Sequence, residues 1–362
     1  MTLANARGAP DSGQSPTWAR IERIASAVLY EGYILYPYRP SSVKNFQRWT
    51  FGGVYPQVYS EAQSGSDAWM MQTQCPVIGY PQTRLDIRVR FLHLLTRTVS
   101  EGGVIQRTWQ EAIERSVDVP CLVLGQIVGQ PHRHAFNFPA IGAGVSTLTP
   151  AWAPAQGIVE TRQQHAISGA IEVRAEAAGD TAFKLTVRIV NLTPFAPGQA
   201  AERATRDEAL MRTFVSTHTL LCVQAGAFVS LMNPAEGYRE LAGACQNVGT
   251  WPVLAGGDGG GDGGDSQGEH DMLLSSPIIL YDFPQIAPES AGELFDGTEI
   301  DEMLTLRVLT LTDAEKQEMG AWDSRARELL ERTETLPPEL MARLHGAVRG
   351  LKTLAPLMPE ER

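Results

Sequence analysis

The sequence predicts a mainly β (α+β) protein: an antiparallel, β-sandwich-like core with an N-terminal helix and C-terminal helices. Three observations predict it. Apolar residues recur at every second position through several stretches, the period of half-buried strands. Turn residues rather than helices separate those stretches, which favours antiparallel hairpins over βαβ units. Helical spacing and capping signals are confined to the beginning of the chain and to the part after Asn233.

Taken in order, residues 1–14 read as disordered. Ser15 before Pro16 is an N-cap followed by proline at the first helical position. Ile21, Ile24, Ala25, Val28 and Leu29 then follow at helical spacing, so 16–30 is expected to be an amphipathic helix. Residues 30–59 are aromatic and broken by Pro and Gly, which suggests short strands and turns, with Tyr and Trp as core or interface anchors or as the lining of a ligand groove. Leu85, Ile87, Val89 and Phe91 alternate with charged residues as a half-buried strand. Ile171, Val173 and Ala175, then Phe183, Leu185, Val187 and Ile189, flank the Gly179-Asp180 turn and read as a β-hairpin. Thr213 to Cys222 and Ala227 to Leu231 read as two further strands around Ala225-Gly226. Together, residues 15–254 form the predicted β-rich domain.

Residues 255–268 are a Gly/Asp-rich flexible loop by composition, with a root-mean-square span of about 20 Å as a random coil. Residues 269–355 should supply a strand and then helices packed on the core. Asn233-Pro234 with Glu236 predicts an earlier helix reaching about Cys245. Asp296 with Glu299 suggests a helix through Leu306, and Thr312 with Glu315 a third, whose apolar face carries Met319, Trp322, Ala326, Leu329 and Leu330. A short helix over 338–351 closes the pattern.

The 362 residues include 30 basic and 41 acidic ones, a net charge of −11, with 43% hydrophobic residues. A chain of this size buries a core without disulfide or metal staples. The acidic balance excludes a broad nucleic-acid surface and docking on anionic lipid. No run of apolar residues is long enough for a membrane-spanning helix, and residues 1–15 are too polar for a signal peptide. The four cysteines, Cys75, Cys121, Cys222 and Cys245, are widely and irregularly spaced, which reads as reduced thiols and not a disulfide framework. Cytoplasmic localisation is the expectation. The charge is uneven: between Arg239 and Arg307 there is no Lys or Arg, while acids run from Glu240 to Glu302. Asp282, Glu289, Glu293, Asp296, Glu299, Asp301 and Glu302 are therefore candidates for a partner-facing surface. The last four also suit helix capping, which is favoured over cation binding or paired-carboxylate catalysis.

Motifs for familiar chemistry are absent. Gly259 to Gly264 formally matches G-x-G-x-x-G, yet a glycine tract matches by chance and has no flanking strand and helix. No lysine follows a glycine, which excludes a P-loop, and there is no H-E-x-x-H. His132 and His134 are the best local metal candidates: in an extended segment, residues i and i+2 share a face and two imidazoles meet one ion. Such a site would need further ligands from His93, His165, His218 or Cys121. A Cys–His nucleophilic pair is conceivable, though no spacing selects one. No catalytic residue and no cofactor is predicted.

Three stretches are distinctive together: Leu29 to Arg39 with Lys44-Asn45 and Arg48-Trp49; Gly226 to Leu231 with Gly249 to Leu254; and Ser275 to Ser290 with Leu294 to Glu302 and Leu311 to Lys316. They resemble an uncharacterised bacterial protein family encoded alongside high-affinity, oxygen-tolerant uptake hydrogenases of the nickel–iron type. The resemblance runs from the first helix to the helix after Thr312. It implies an accessory protein for nickel–iron hydrogenase assembly or maturation, acting through protein–protein contact with a hydrogenase subunit or maturation factor. The alternatives are a metal-binding protein or metal-dependent enzyme using His132 and His134, or a structural subunit of the hydrogenase complex.

Overall fold

The computed structural model describes residues 16–29, 51–63, 67–102, 104–146, 158–196, 202–256, 270–285 and 331. These fall, except for Glu331, in the first of two units, residues 1–35 with 40–286; the second comprises 36–39 and 287–362. The predicted helices beyond residue 285 lie outside the described residues, save that Glu331 is helical.

The first unit is mainly β, with two antiparallel sheets packed face to face. The five-stranded sheet runs β10 (Ala227–Phe228), β1 (Met70–Ile78), β8 (Ala182–Asn191), β7 (Ile167–Ala177) and β4 (His132–Phe138) in spatial order. The seven-stranded sheet runs β11 (Trp251–Leu254), β12 (Met272–Ser276), β9 (Val215–Gln224), β2 (Arg84–Glu101), β6 (Ile158–Gln164) and β5 (Ile141–Ser146), with β3 (Val104–Val123) along the other edge of β2. Period-two alternation explains the core. Met71, Cys75 and Val77 of β1, Ile171 and Val173 of β7, and Leu185, Val187 and Ile189 of β8 meet Leu85, Ile87, Val89 and Phe91 of β2 and Leu221 and Val223 of β9. At one end Phe91 packs on Phe214 with ring centroids 4.8 Å apart, and on Phe136 and Phe138 at 6.0 and 5.9 Å. A buried hydroxyl chain also crosses between the sheets: Thr73 donates to Ser275 at 2.7 Å, and Thr250 lies 2.7 Å from the same oxygen.

The expected β7–β8 hairpin forms, with Gly179 at φ +132° in its turn. Helix α1 spans Pro16–Leu29 and lies on the outer face of the seven-stranded sheet, against β9, β12 and β2. Ile21, Ile24, Ala25, Val28 and Leu29 are buried as the spacing requires. Arg88 and Arg90, on the outer face of β2, reach Glu22 of this helix, and Arg90 also donates to Ser26 at 2.8 Å. Farther along the same face, Leu92 and Leu94 pack with Tyr55, Tyr59, Leu210 and Met211, next to helices α2 (Gln57–Ala62) and α4 (Glu202–Leu210), while the single turn α3 (Leu124–Ile127) follows β3.

Three local expectations need correction. Residues 57–62 are helical rather than extended, while Val54 makes only an isolated bridge to Phe214. The strand expected over 227–231 pairs only at Ala227–Phe228, because Ser230 turns the chain by accepting the N–H groups of Met232 and Asn233. The helix expected from Pro234 to Cys245 is instead a 3-10 turn, Glu236–Tyr238, and a short α5, Arg239–Gly243. Ala235 stays extended (φ −58°, ψ 149°) and no side chain caps the turn. Asn233, biased to extended backbone by the following proline, is held by Ser230 and does not act as a cap.

β2 and β3 are far longer than the sandwich needs, 18 and 20 residues. They pair with each other along their whole length, through Glu101↔Val104. Gly102, which follows the end of β2, stands at φ +58°, a left-handed conformation that glycine adopts readily. The other edge of β2 changes partner midway: β9 pairs it from Arg84 to Leu92, and β6 from Thr96 to Glu101. The distal half is thus an arm of β2, β3, β5 and β6, with Val104 and Ile105 exposed at its tip.

Candidate functional site

His132 and His134 pair with Val173 and Ile171 on edge strand β4. They share the inward face with Phe136 and Phe138, as the i, i+2 spacing implies, and both are half-buried. The other candidate ligands do not join them. His218 pairs with Arg90 on the opposite, α1-covered face of the seven-stranded sheet. There its Nδ1 lies 2.8 Å from the Ser216 carbonyl and its Nε2 lies 3.2 Å from Ser276 Oγ. Cys121 is exposed and accepts from Arg84 Nε at 3.3 Å. Among the described residues no group of three or more His, Cys, Asp or Glu side chains is placed to hold a metal ion.

Three of the four cysteines, Cys75, Cys222 and Cys245, lack nucleophilic character. Burial pushes the Cys75 thiol well up, the Cys222 thiol to about 12 and the Cys245 thiol to about 11, whereas a reactive cysteine needs a stabilised thiolate. The Ser276–His218 pair has the atom order of a nucleophile and its base, yet both residues are wholly buried and no substrate carbonyl reaches them there.

Of the acidic surface candidates, only Asp282 is described; Glu289, Glu293, Asp296, Glu299, Asp301 and Glu302 lie outside the described residues. The half-buried Asp282 carboxylate accepts from Ser230 Oγ at 2.5 Å and from the Leu254 N–H at 2.8 Å. It therefore fastens the segment after β12 to β11 and to the 230–233 turn. Trp251 pairs with Ser276 at one end of β11, and at the other the Phe283 N–H donates to the Leu254 carbonyl. Residues 277–283 consequently run beside β11, over a strand length of about 13 Å. This stretch presents Trp251, Ile279 and Tyr281 to solvent, at 53, 67 and 76% exposure.

The second concentration of unusual chemistry lies on the inner face at the seam where β2 passes from β9 to β6. Gln164 spans the gap: its Nε2 donates to the His93 carbonyl at 3.2 Å and its Oε1 accepts from Arg115 Nη2 at 2.8 Å. Toward the arm, Arg97 bridges Glu111 and Glu160, each at 2.7 Å, and Glu160 also accepts from Arg162 at 3.0 Å. His93 is wholly buried, and burial beside the Arg115 charge pushes it down to about 4.

Sequence reasoning saw neither of these regions as a unit. The arm had a legible signal, Gly102-Gly103 between two extended stretches. The seam had none, because His93, Arg115 and Gln164 meet only through the pairing of three strands. The chain matches no protein-family model and no curated protein.

Proposed function

We propose that this chain is an accessory protein for nickel–iron hydrogenase assembly or maturation that works by docking on a hydrogenase subunit or maturation factor. The observation that supports the reading is the solvent-facing set Trp251, Ile279 and Tyr281, carried on β11 and the adjoining 277–283 segment. These are two of the stretches on which the family resemblance rests. Large exposed aromatic and branched side chains are the anchors of protein interfaces, and isolated solvated surfaces do not need them. They also sit in the stretch between Arg239 and Arg307 that has no basic residue, so a basic partner surface suits it.

The test is capture from the native host at low salt, using the full chain and its W251A/Y281A variant. Recovery of a hydrogenase subunit or maturation factor by the parent and its loss by the variant supports the proposal. Recovery of neither, together with unchanged hydrogenase activity in a deletion strain, refutes it. A structural subunit differs in one respect: it stays with the purified, active enzyme.

A further inference from the structure

Among the described residues, the seam holds a positive charge with no counter-charge. Arg115 is half-buried, and among the described residues no carboxylate pairs with it. Its partners are the Gln164 amide oxygen at 2.8 Å and the Phe138 ring, whose centroid lies 4.8 Å from the guanidinium carbon. Its Nε–H is buried and has no acceptor among the described residues. Burial alone pushes its pKa down, with no acid opposing the shift. The contrast with its neighbours is sharp, since Arg97 and Arg162 on the same face both bond to Glu160. A buried guanidinium left unpaired is costly, and cation–π contact offsets only part of the loss.

A second unmet group stands beside it. His93 sits on β2 two pairs beyond the Phe91↔Arg115 pair, on the same face. It is wholly buried, and among the described residues neither ring nitrogen makes a hydrogen bond within 3.5 Å, the His165 backbone being close enough only to act on its charge. A neutral imidazole always carries one donor and one acceptor, so the seam leaves a His93 N–H and the Arg115 Nε–H unanswered together. Gln164 holds both partners still, being bonded to the Arg115 guanidinium and to the His93 backbone. The surrounding groups are apolar: Phe91, Leu95 and the Phe138 ring.

We propose that this seam binds the carboxylate of a small organic monoacid, with Arg115 Nε–H and a His93 ring N–H donating to its oxygens and the apolar part of the acid lying against Phe138 and Leu95. One uncompensated positive charge calls for a monoanion. A planar two-oxygen group can answer two neighbouring N–H donors at once, and such charge-assisted bonds are the strong ones. Water would answer the donors but leave the charge.

Titration of the full chain with sodium acetate, phenylacetate and inorganic phosphate at constant ionic strength tests this, read by calorimetry and by the NMR signal of the Arg115 Nε–H. The expected result is saturation at one carboxylate per chain, with that signal moving, tighter binding of phenylacetate than of acetate, and weaker binding of phosphate. In R115Q the affinity should fall about tenfold or more, and R115K, which keeps the charge but loses the Nε donor, should also lose most of it. No saturable response to either acid up to about 10 mM, phosphate binding tighter than both acids, or R115Q binding as the parent does would each overturn the proposal. The wild-type titration decides the question even if the variants fold poorly.

Discussion

Acidification from pH 7.5 to 5 should destabilise the protein through His218 and His93, both held neutral by burial. Each is wholly buried and pushed down to about 4, from an ordinary value of 6.5. For His218 desolvation dominates; the Ser216 carbonyl opposes it and the Arg90 charge adds to it. For His93 desolvation again leads, followed by the Arg115 charge. The unfolded chain therefore binds more protons than the native one between pH 6.5 and 4. The stability from these two groups is fully present above 6.5 and is lost as pH falls toward 4. At pH 5 linkage gives a loss on the order of 2 kcal/mol per histidine, about 4 kcal/mol together. His165, also pushed down by burial, acts in the same direction. Urea denaturation followed by tryptophan fluorescence should show the midpoint falling by about 1 M or more over this range. In H218N, which retains a donor for the Ser216 carbonyl but does not titrate, about half of the pH dependence should disappear. An unchanged midpoint between pH 7.5 and 5, or an H218N protein with the full pH dependence, would refute the reasoning.

Three further outcomes follow from the packed interior. In G169A the new Cβ would lie 2.6 Å from Phe136 Cζ, 2.8 Å from Phe214 Cζ and 2.8 Å from the Val190 carbonyl, so overpacking should cost about 1–3 kcal/mol and lower Tm by about 5 °C in a thermal melt. Asn191 is wholly buried and donates to the Val54 and Arg212 carbonyls at 2.7 and 2.8 Å while accepting from the Thr193 N–H; N191A orphans all three and should cost about 3 kcal/mol in chemical denaturation. R97M leaves the buried Glu160 with Arg162 as its remaining cationic partner, so stability should fall by about 2 kcal/mol and amide exchange across residues 158–164 should quicken, as measured by mass spectrometry.

The elements read correctly from the chain are those whose two faces meet different surroundings. β7 and β8 alternate in sequence because one face is apolar core and the other carries Glu172, Arg174, Lys184, Thr186 and Arg188. The α1 stripe is legible because only one side of that helix touches the sheet. The alternation stops being informative past Phe91 because Leu92 and Leu94 are covered on the outer face while His93 and Leu95 are buried on the inner one. A strand buried on both sides writes no period of two. The helix expected after Asn233 failed for another reason: a proper cap signal was outcompeted by Ser230, whose role depends on Asp282, distant in sequence.

His132 and His134 sharing a face followed from spacing alone; that no third ligand among the described residues joins them did not, because His218 and Cys121 were sent elsewhere by strand pairing. By itself the sequence determined the class of the fold, the hairpin of β7 and β8, and the buried stripe of α1, since each rests on contacts between residues close in the chain or on a local period. Only the tertiary structure decided that β2 changes partner from β9 to β6, that Arg97 is neutralised while Arg115 is not, and that His93 is buried beside it. Arginines on one strand pair look alike in sequence. Their charge balance depends on which distant strand brings a carboxylate, and that choice is made by complementary buried faces across the whole unit.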